Sequence, residues 1–457
     1  MLAWLLPILV VLLAPLPTGD LAYQIQAGRL MLSTHEILRH DVFTYTFAGA
    51  PWVDQQWGAQ VVLGWLFPLI GWRGFVILRA LLVGVAVGLT YERTRWAGAE
   101  PPVAGALSIG AFVVAILVPG TTVLRPQSFA VVLFILAAWT LQTRAEHRRR
   151  LLLVPVIGVV WANVHGSFVL LPLLVLTAAI DDVVAHDPAR RATVALTIVC
   201  AITPLVDPWG PRIYSYVWHL STSHTIRTSV EEWQPLYVRW ETGLVFLLGT
   251  GLLAYLVLRY GSRRPTPGEL FGWIAFSVLA ILSGRNVVWW ALYVPPVAGS
   301  LLVGWHPGRS SSDDRAGPVL GIALVLVVAI ASVRVLVVQP ASLVADAPPG
   351  LTAAVEGATA GGQRLFNGSW GSWFEFALPD VPVFLDARGE LTPDAVYRDY
   401  SVVMAALPGW QAVLDRWNVD VVAVPADDPQ LVSAMDSDPA WTPRYRDGDG
   451  AVFTRRG

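Results

Sequence analysis

The residues of this chain able to do chemistry collect in a few places. The densest is 18–57, TGDLAYQIQAGRLMLSTHEILRHDVFTYTFAGAPWVDQQW. Asp20 opens it, just beyond an apolar run, and a carboxylate held there can take a proton from an attacking hydroxyl. The residues that follow, Leu21, Ile25, Gly28 and Leu32, have the spacing of an amphipathic helix along a membrane surface, so Asp20 equally reads as that helix's N-cap or first-turn acid. Asp41 either binds a ligand or pairs with Arg39 or His40 beside it. Asp54 lies between Trp52 and Trp57 and is either a turn acid or a hydroxyl ligand. The two indoles could pack on a sugar ring, although interfacial Trp is also a membrane anchor.

Arginines supply the opposite charge. Arg125 in VLRPQS and Arg285 in SGRNVVWW each fall at the end of an apolar run, where an ionised group needs a partner. A guanidinium fork matches phosphate oxygens, and the competing reading is an ion pair with Asp20 or Asp54. Arg212 and Arg227 are weaker versions of the same idea, and the run Glu231-Glu232-Trp233 adds acids for an acceptor or a cation. His165, in Asn-Val-His-Gly-Ser, interrupts an apolar stretch and either lines a site or is satisfied by its neighbours. Trp370 and Trp373 belong to Ser-Trp-Gly-Ser-Trp at 369–373.

Much is excluded. The chain has no Lys, so it has neither a P-loop lysine nor a Schiff-base lysine. Its one cysteine, Cys200, is in an apolar run, which removes disulfide frameworks and thiolate metal sites. There is no HExxH, GxSxG or strand-linked GxGxxG. A net charge of -2 argues against a nucleic-acid partner. No metal ligand set is named by the sequence; a divalent cation stays open, and no cofactor is certain.

The elements that must position these groups are membrane helices. Hydrophobic residues make up 55% of the chain and charged residues 14%, and mean hydropathy is +0.56, far from a soluble domain. Apolar runs at 1–17, 58–90, 102–119, 126–143, 151–164, 167–180, 193–206, 243–258, 269–283, 287–305 and 318–338 predict about eleven spans. Arginines cluster in alternate loops (Arg93 and Arg95; Arg144, Arg148, Arg149 and Arg150; Arg190 and Arg191; Arg259, Arg263 and Arg264; Arg309 and Arg315), which places those loops and the N-terminus in the cytoplasm. The expected division is a transmembrane domain, 1–339, with a long first outer loop at 18–57, and a small extracytoplasmic α/β domain, 340–457. Strands are expected at 364–367, 383–386, 419–425 and 451–454, with helices near 370–378, 393–405, 408–417 and 428–437. The fold class is therefore mostly α, polytopic, with a C-terminal α/β unit.

Taken together, GDLAYQIQAGRLML…RHDVFTYTFAGAPWVDQQW, the RPQSF turn, HGSF, FNGSWGSWFEFALPDVPVFLDARGEL and PGWQAVLDRWNVDVVAVP resemble the GT-C class of polytopic glycosyltransferases, in particular a bacterial group of GT-C-like membrane proteins. The resemblance implies sugar transfer from a polyprenyl-phosphate or -diphosphate carrier, with inversion, at the outer face of the bacterial cytoplasmic membrane. On it Asp20 is the general base, Arg125 and Arg285 take the leaving phosphate, and Trp52, Trp57 and the 207–242 loop contact sugar. Ser-Trp-Gly-Ser-Trp with Phe384-Leu385-Asp386 is faintly similar to the acceptor-reading element of oligosaccharyltransferase catalytic subunits, without the acid inside the Trp motif. Leu21 after Asp20 departs from the Asp-Glu pair of protein O-mannosyltransferases. The implied partners are the lipid-linked sugar, membrane lipid and a cell-envelope acceptor. The alternatives are a non-catalytic scaffold for envelope assembly, and a flippase or transporter of a lipid-linked solute.

Overall fold

A computed structural model describes residues 2–223, 231–236, 241–306 and 316–456. Arg227, Arg309 and Arg315, and parts of the 207–242 loop, lie outside the described residues. The chain forms two compact units: 1–15 with 73–338, and 16–72 with 339–457.

The first unit is helical. It holds α1 (Leu2–Leu13), and further along the chain α4 (Pro101–Ile116), α5 (Pro126–Gln142), α6 (Leu153–Ala162), α7 (Leu170–Val184), α8 (Arg190–Ile202), α9 (Arg212–Thr222), α10 (Glu241–Tyr260), α11 (Pro267–Leu282), α12 (Val287–Leu301) and α13 (Ala316–Val337). Between α1 and α4 come α2 (Gly19–Thr34), in the other unit, and α3 (Trp57–Trp96), which is broken at Gly71 with φ 56°, beside the boundary of the two units. Each expected apolar run carries a helix. Among the described residues three helical segments are long and apolar enough to cross a membrane: Trp57–Trp96, Gly166–Val184 and Glu241–Tyr260. The shorter apolar helices have 10–17 residues.

Starts and stops follow local chemistry. Pro101, Pro126 and Pro267 stand at first helical positions, where no amide is needed. Thr266 and Glu269 close a reciprocal capping box on α11. The unit's core is aromatic, with Phe134, Trp161, Phe276 and Trp289 in mutual edge and tilted contacts. Buried Arg79 donates to the carbonyls of Val11, Ala14 and Pro15, which places a cation at the C-terminal end of α1 and on the two residues just past it. Arg93, counted above among loop arginines, is instead buried within α3 and donates to the Leu292 carbonyl at 3.0 Å and Gln142 Oε1 at 3.1 Å.

The second unit joins the polar 18–57 stretch to the C-terminal part of the chain. β1 (Leu16–Pro17) runs parallel to β2 (Val344–Ala345). Helices α14 (Pro349–Thr359), α15 (Gly371–Ala377), α16 (Asp394–Met404), α17 (Trp410–Arg416) and α18 (Pro429–Ser437) accompany a four-stranded sheet. Its order is β3 (Leu365–Phe366), β4 (Val421–Pro425), β6 (Gly450–Arg455), β5 (Trp441–Arg446), with β3 and β4 parallel and the other pairs antiparallel. Phe366, Val422, Val424, Leu431 and Phe453 fill one core of this unit. The expected strand at 383–386 is not formed; Val383 makes an isolated bridge with Thr44, and the 40–51 loop is stitched on by Tyr45 N to Val383 O at 3.1 Å.

Candidate functional site

Asp20 lies in the first turn of α2 and is partly exposed. Thr18 precedes the helix but does not cap it; its hydroxyl donates to the carbonyls of Ala345 (2.8 Å) and Asp346 (3.1 Å). That contact, with the β1–β2 pairing, ties the start of α2 to Asp346, which has a left-handed backbone at φ 59°. Tyr23 and Gln24 follow Asp20 at helical spacing on one face. Gln24 Nε2 donates to Tyr23 Oη (2.5 Å) and Gln56 Oε1 (2.7 Å). The charges of Glu390, Asp20, Asp54 and Arg388 all reach the buried Tyr23 hydroxyl, whose pKa is raised first by burial. The structure therefore gathers Asp20 and Asp54 around one side chain.

Asp54 is buried. Its Oδ1 accepts from Gln60 Nε2 at 2.9 Å and from the Gln56 amide at 3.3 Å. Burial pushes its carboxyl well above the usual carboxylate range, against the pull of the Gln56 amide and Arg388.

Beside it is a buried charge cluster that sequence reasoning missed. Arg388, 0% exposed, pairs with Asp41 at 2.5 Å and with Asp386, and its guanidinium stands 4.9 Å from the Phe43 ring centre and 4.6 Å from that of Trp52. Asp41 thus pairs with neither Arg39 nor His40; its other oxygen accepts from the Thr44 hydroxyl at 2.7 Å. Trp52 has its face on a cation and is closed to a sugar ring, whereas Trp57 is half-buried on the apolar cluster of Ala27, Met31 and Phe43. Glu375 on α15 joins the group. Burial and the Asp386 carboxylate push Glu375 well above its usual range, while Arg388 overcomes the burial cost and holds Asp386 below its own.

Asp386 also lines a cleft of about 120 Å³, with Gly19, Asp346, Ser369, Trp370, Ser372, Trp373 and Tyr400. Trp370 and Trp373 come there because the short helix α15 starts at Gly371 pressed on the 385 backbone: a Cβ at Gly371 would meet the Leu385 carbonyl at 1.9 Å. Asn367 fixes the same corner, accepting from the Phe384 and Leu385 amides and donating to the Leu385 carbonyl. The wall is acids, hydroxyls and aromatic rings, suited to a neutral hydroxyl-rich ligand.

In the first unit Arg125 and Arg285 meet on Glu232. Arg125 holds Glu232 by two hydrogen bonds (3.0 and 2.7 Å); Arg285 lies 3.7 Å from Glu232 Oε1 and 4.1 Å from the Trp233 ring centre. The expected ion pair forms with Glu232. Although burial raises it, the two guanidiniums keep the Glu232 carboxyl below its ordinary value. Glu231 itself is exposed. His165 is buried within electrostatic reach of both arginines, and its Nδ1 accepts from the Ser167 amide at 3.1 Å, which leaves the ring proton on Nε2. Each of the three side chains stands at a helix start: Arg125 before Pro126 of α5, Arg285 in the turn opening α12, and His165 in the turn opening α7. Helix starts carry partial positive charge, so the arrangement suits an anion.

Among the described residues no group of three or more His, Cys, Asp or Glu is placed to hold a metal ion, and the acids that do gather surround a guanidinium.

No protein-family model and no curated protein sequence matches the chain. Among solved structures it is similar to the apo oligosaccharyltransferase of Archaeoglobus fulgidus, with a TM-score of 0.53 and 12% identity over 92% of this chain and 69% of that one. The arabinofuranosyltransferase AftD from Mycobacteria matches over 99% of this chain and 41% of that one, at 16% identity and a TM-score of 0.38. Both are GT-C glycosyltransferases, and the likeness to the first shows that this chain has a GT-C-like fold.

Proposed function

We propose that the chain is an integral-membrane glycosyltransferase that moves a sugar from a polyprenyl-phosphate-type carrier to a cell-envelope acceptor on the outer face of the bacterial cytoplasmic membrane. The observation that carries this reading is the convergence of Arg125, Arg285 and the helix-start His165 from three separate stretches of sequence. Two guanidinium forks and a neutral imidazole N–H at helix starts are donors matched to phosphate oxygens. An apolar cavity lined by Leu82, Val87, Phe112, Val131 and Ala291 also includes Ser128, whose hydroxyl accepts from the Arg125 amide at 3.3 Å. It suits a prenyl chain.

In the proposed reaction an acceptor hydroxyl attacks the anomeric carbon and its proton passes to Asp20. The bond from that carbon to the phosphate oxygen breaks, and the phosphate departs with the electron pair, stabilised by Arg125 and Arg285. A single-displacement reaction inverts the anomeric centre. The Trp370–Trp373 cleft serves the acceptor. The N-terminus is cytoplasmic, and residues from 340 onward are outside.

The test compares a deletion strain, the strain complemented with wild type, and the strain complemented with Asp20→Asn, by mass spectrometry of lipid-linked sugars and envelope glycans. Accumulation of one lipid-linked sugar with loss of one glycan residue, in both the deletion and the Asp20→Asn strain, is expected. Wild-type profiles from Asp20→Asn would reduce the aspartate to a first-turn helix acid and turn the reading toward scaffold or transport.

A further inference from the structure

We propose that Trp161 and Ser167 are positioning residues of the anion site: a chain of donors from the Trp161 indole through the Ser167 hydroxyl to His165 Nδ1 keeps the imidazole proton on Nε2, for donation to a phosphate oxygen. This rests on the reading of Arg125 and Arg285 as phosphate ligands.

The direction of each hydrogen bond follows from what each group can do. Trp161 Nε1–H can only donate, and it reaches Ser167 Oγ at 3.0 Å. The Ser167 hydroxyl proton then points at His165 Nδ1, 2.8 Å away, and the Ser167 amide donates to the same nitrogen at 3.1 Å. An amide N–H cannot reverse its role, so Nδ1 keeps its lone pair and the proton stays on Nε2. A second proton, on Nδ1, would face that amide head-on. Among the described residues nothing accepts from Nε2–H, although the residue is only 7% exposed. A donor unpaired at that depth is costly, and both arginines lie within electrostatic reach of the ring. An oxygen of the anion they hold would satisfy it.

The same indole sets where the ring stands. Trp161 packs on Phe134 of α5 and Trp289 of α12, with ring centres 6.1 and 6.0 Å away. Those two helices carry Arg125 and Arg285 at their starts. The Trp161 carbonyl also accepts from the His165 amide at 2.9 Å. One fully buried residue thus keeps His165 in register with both arginine-bearing helices, and its ring cannot tilt without repacking them.

The test uses the full chain in lipid nanodiscs, with citronellyl methyl phosphate, a short prenyl phosphodiester, as the probe. Histidine nitrogens are isotopically labelled for NMR, and the His165 resonances are assigned by their loss in His165→Gln. Wild type is expected to show an unprotonated Nδ1 and a protonated Nε2, whose proton moves downfield when the probe binds. Ser167→Ala should weaken probe binding about three- to tenfold, the worth of one neutral hydrogen bond, and shift Nδ1 toward a nitrogen that accepts fewer bonds. Ser167→Thr keeps the hydroxyl and should restore both readings. If Ser167→Ala does not fold, the wild-type spectrum with and without probe decides. A proton on Nδ1, an Nε2–H that the probe leaves unmoved, or wild-type affinity in Ser167→Ala overturns the positioning role. If Arg125→Gln and Arg285→Gln bind the probe like wild type, the underlying anion site is wrong.

Discussion

Asp41 and Arg388 are 347 positions apart in sequence and 2.5 Å apart in the structure, with neither side chain exposed. The pair fastens the polar loop after α2 to the segment that carries Asp386 and one wall of the cleft. Two acids and two aromatic faces hold Arg388, so its loss would strand charge that water cannot reach.

Arg388→Gln should therefore destabilise the second unit by about 3–5 kcal/mol, since it leaves the buried Asp41 and Asp386 carboxylates uncompensated. Asp41→Asn should cost less, because the amide can still accept from Thr44 and the guanidinium keeps Asp386. Urea unfolding followed by hydrogen exchange in residues 421–425 and 450–455 measures both. Equal and small effects would show the cluster to be solvated.

Asp54 predicts a pH dependence with a definite sign. Its folded pKa is raised by burial, so between the unfolded and folded values the native state holds a proton that the unfolded chain has released. Stability should fall as pH rises through that window, with the full contribution present below the unfolded carboxyl pKa. Asp54→Asn should remove this slope and raise stability at neutral pH. Unfolding at a series of pH values checks it; an unaltered slope in the variant assigns the dependence elsewhere.

Gly371→Ala should be costly despite its small size. The added methyl meets the Leu385 backbone carbonyl, which has no flexible end to yield. A shift of α15 costing about 1–3 kcal/mol is expected, with weaker binding of any ligand in the cleft. Ser369→Ala, at an exposed position of the same motif, should leave stability unchanged.

Asp20→Asn should lower turnover by about 10²–10⁴-fold at normal protein level, as removal of a general base does. Arg285→Lys should instead raise the donor KM, because a lysine lacks the planar fork that stacks on Trp233 and faces Glu232. Steady-state kinetics on a lipid-linked donor separates the two. A turnover loss in Arg285→Lys with unchanged KM would count against phosphate binding.

The helices were legible because long apolar runs have few other states. Residues 365–366, 421–425 and 450–455 were legible as strands because they are apolar or flank apolar stretches. Trp441–Arg446 was not: WTPRYR carries Pro443 and two arginines, and it forms an edge strand with an irregular register at Pro443. The 383–386 run misled for the opposite reason, apolar residues packed as a bridge without a ladder. At the site, residue types announced Arg125, Arg285 and Asp41, but not their partners. A local window offers Asp41 only Arg39 and His40, and it gives Arg125 no acid at all; Arg388 and Glu232 come from long-range closure. Asp346 gave no motif signal, whereas Asp386 stands in the Phe384-Leu385-Asp386 run already singled out, without a sign of its pairing with Arg388.

The second unit is assembled from residues 16–72 and 339–457, with the helical unit's main stretch in between. During synthesis the polar segment emerges first and must wait for some 270 further residues before its sheet partners exist. Closure at this sequence separation is slow and leaves apolar and charged groups unsatisfied meanwhile. Asp41 has no Arg388, and Thr18 has no carbonyls at 345 and 346, until those later residues have been made. The cleft beside Asp20 is thus a late product of translation, so a chain truncated before residue 388 would build its helices yet never form that cleft.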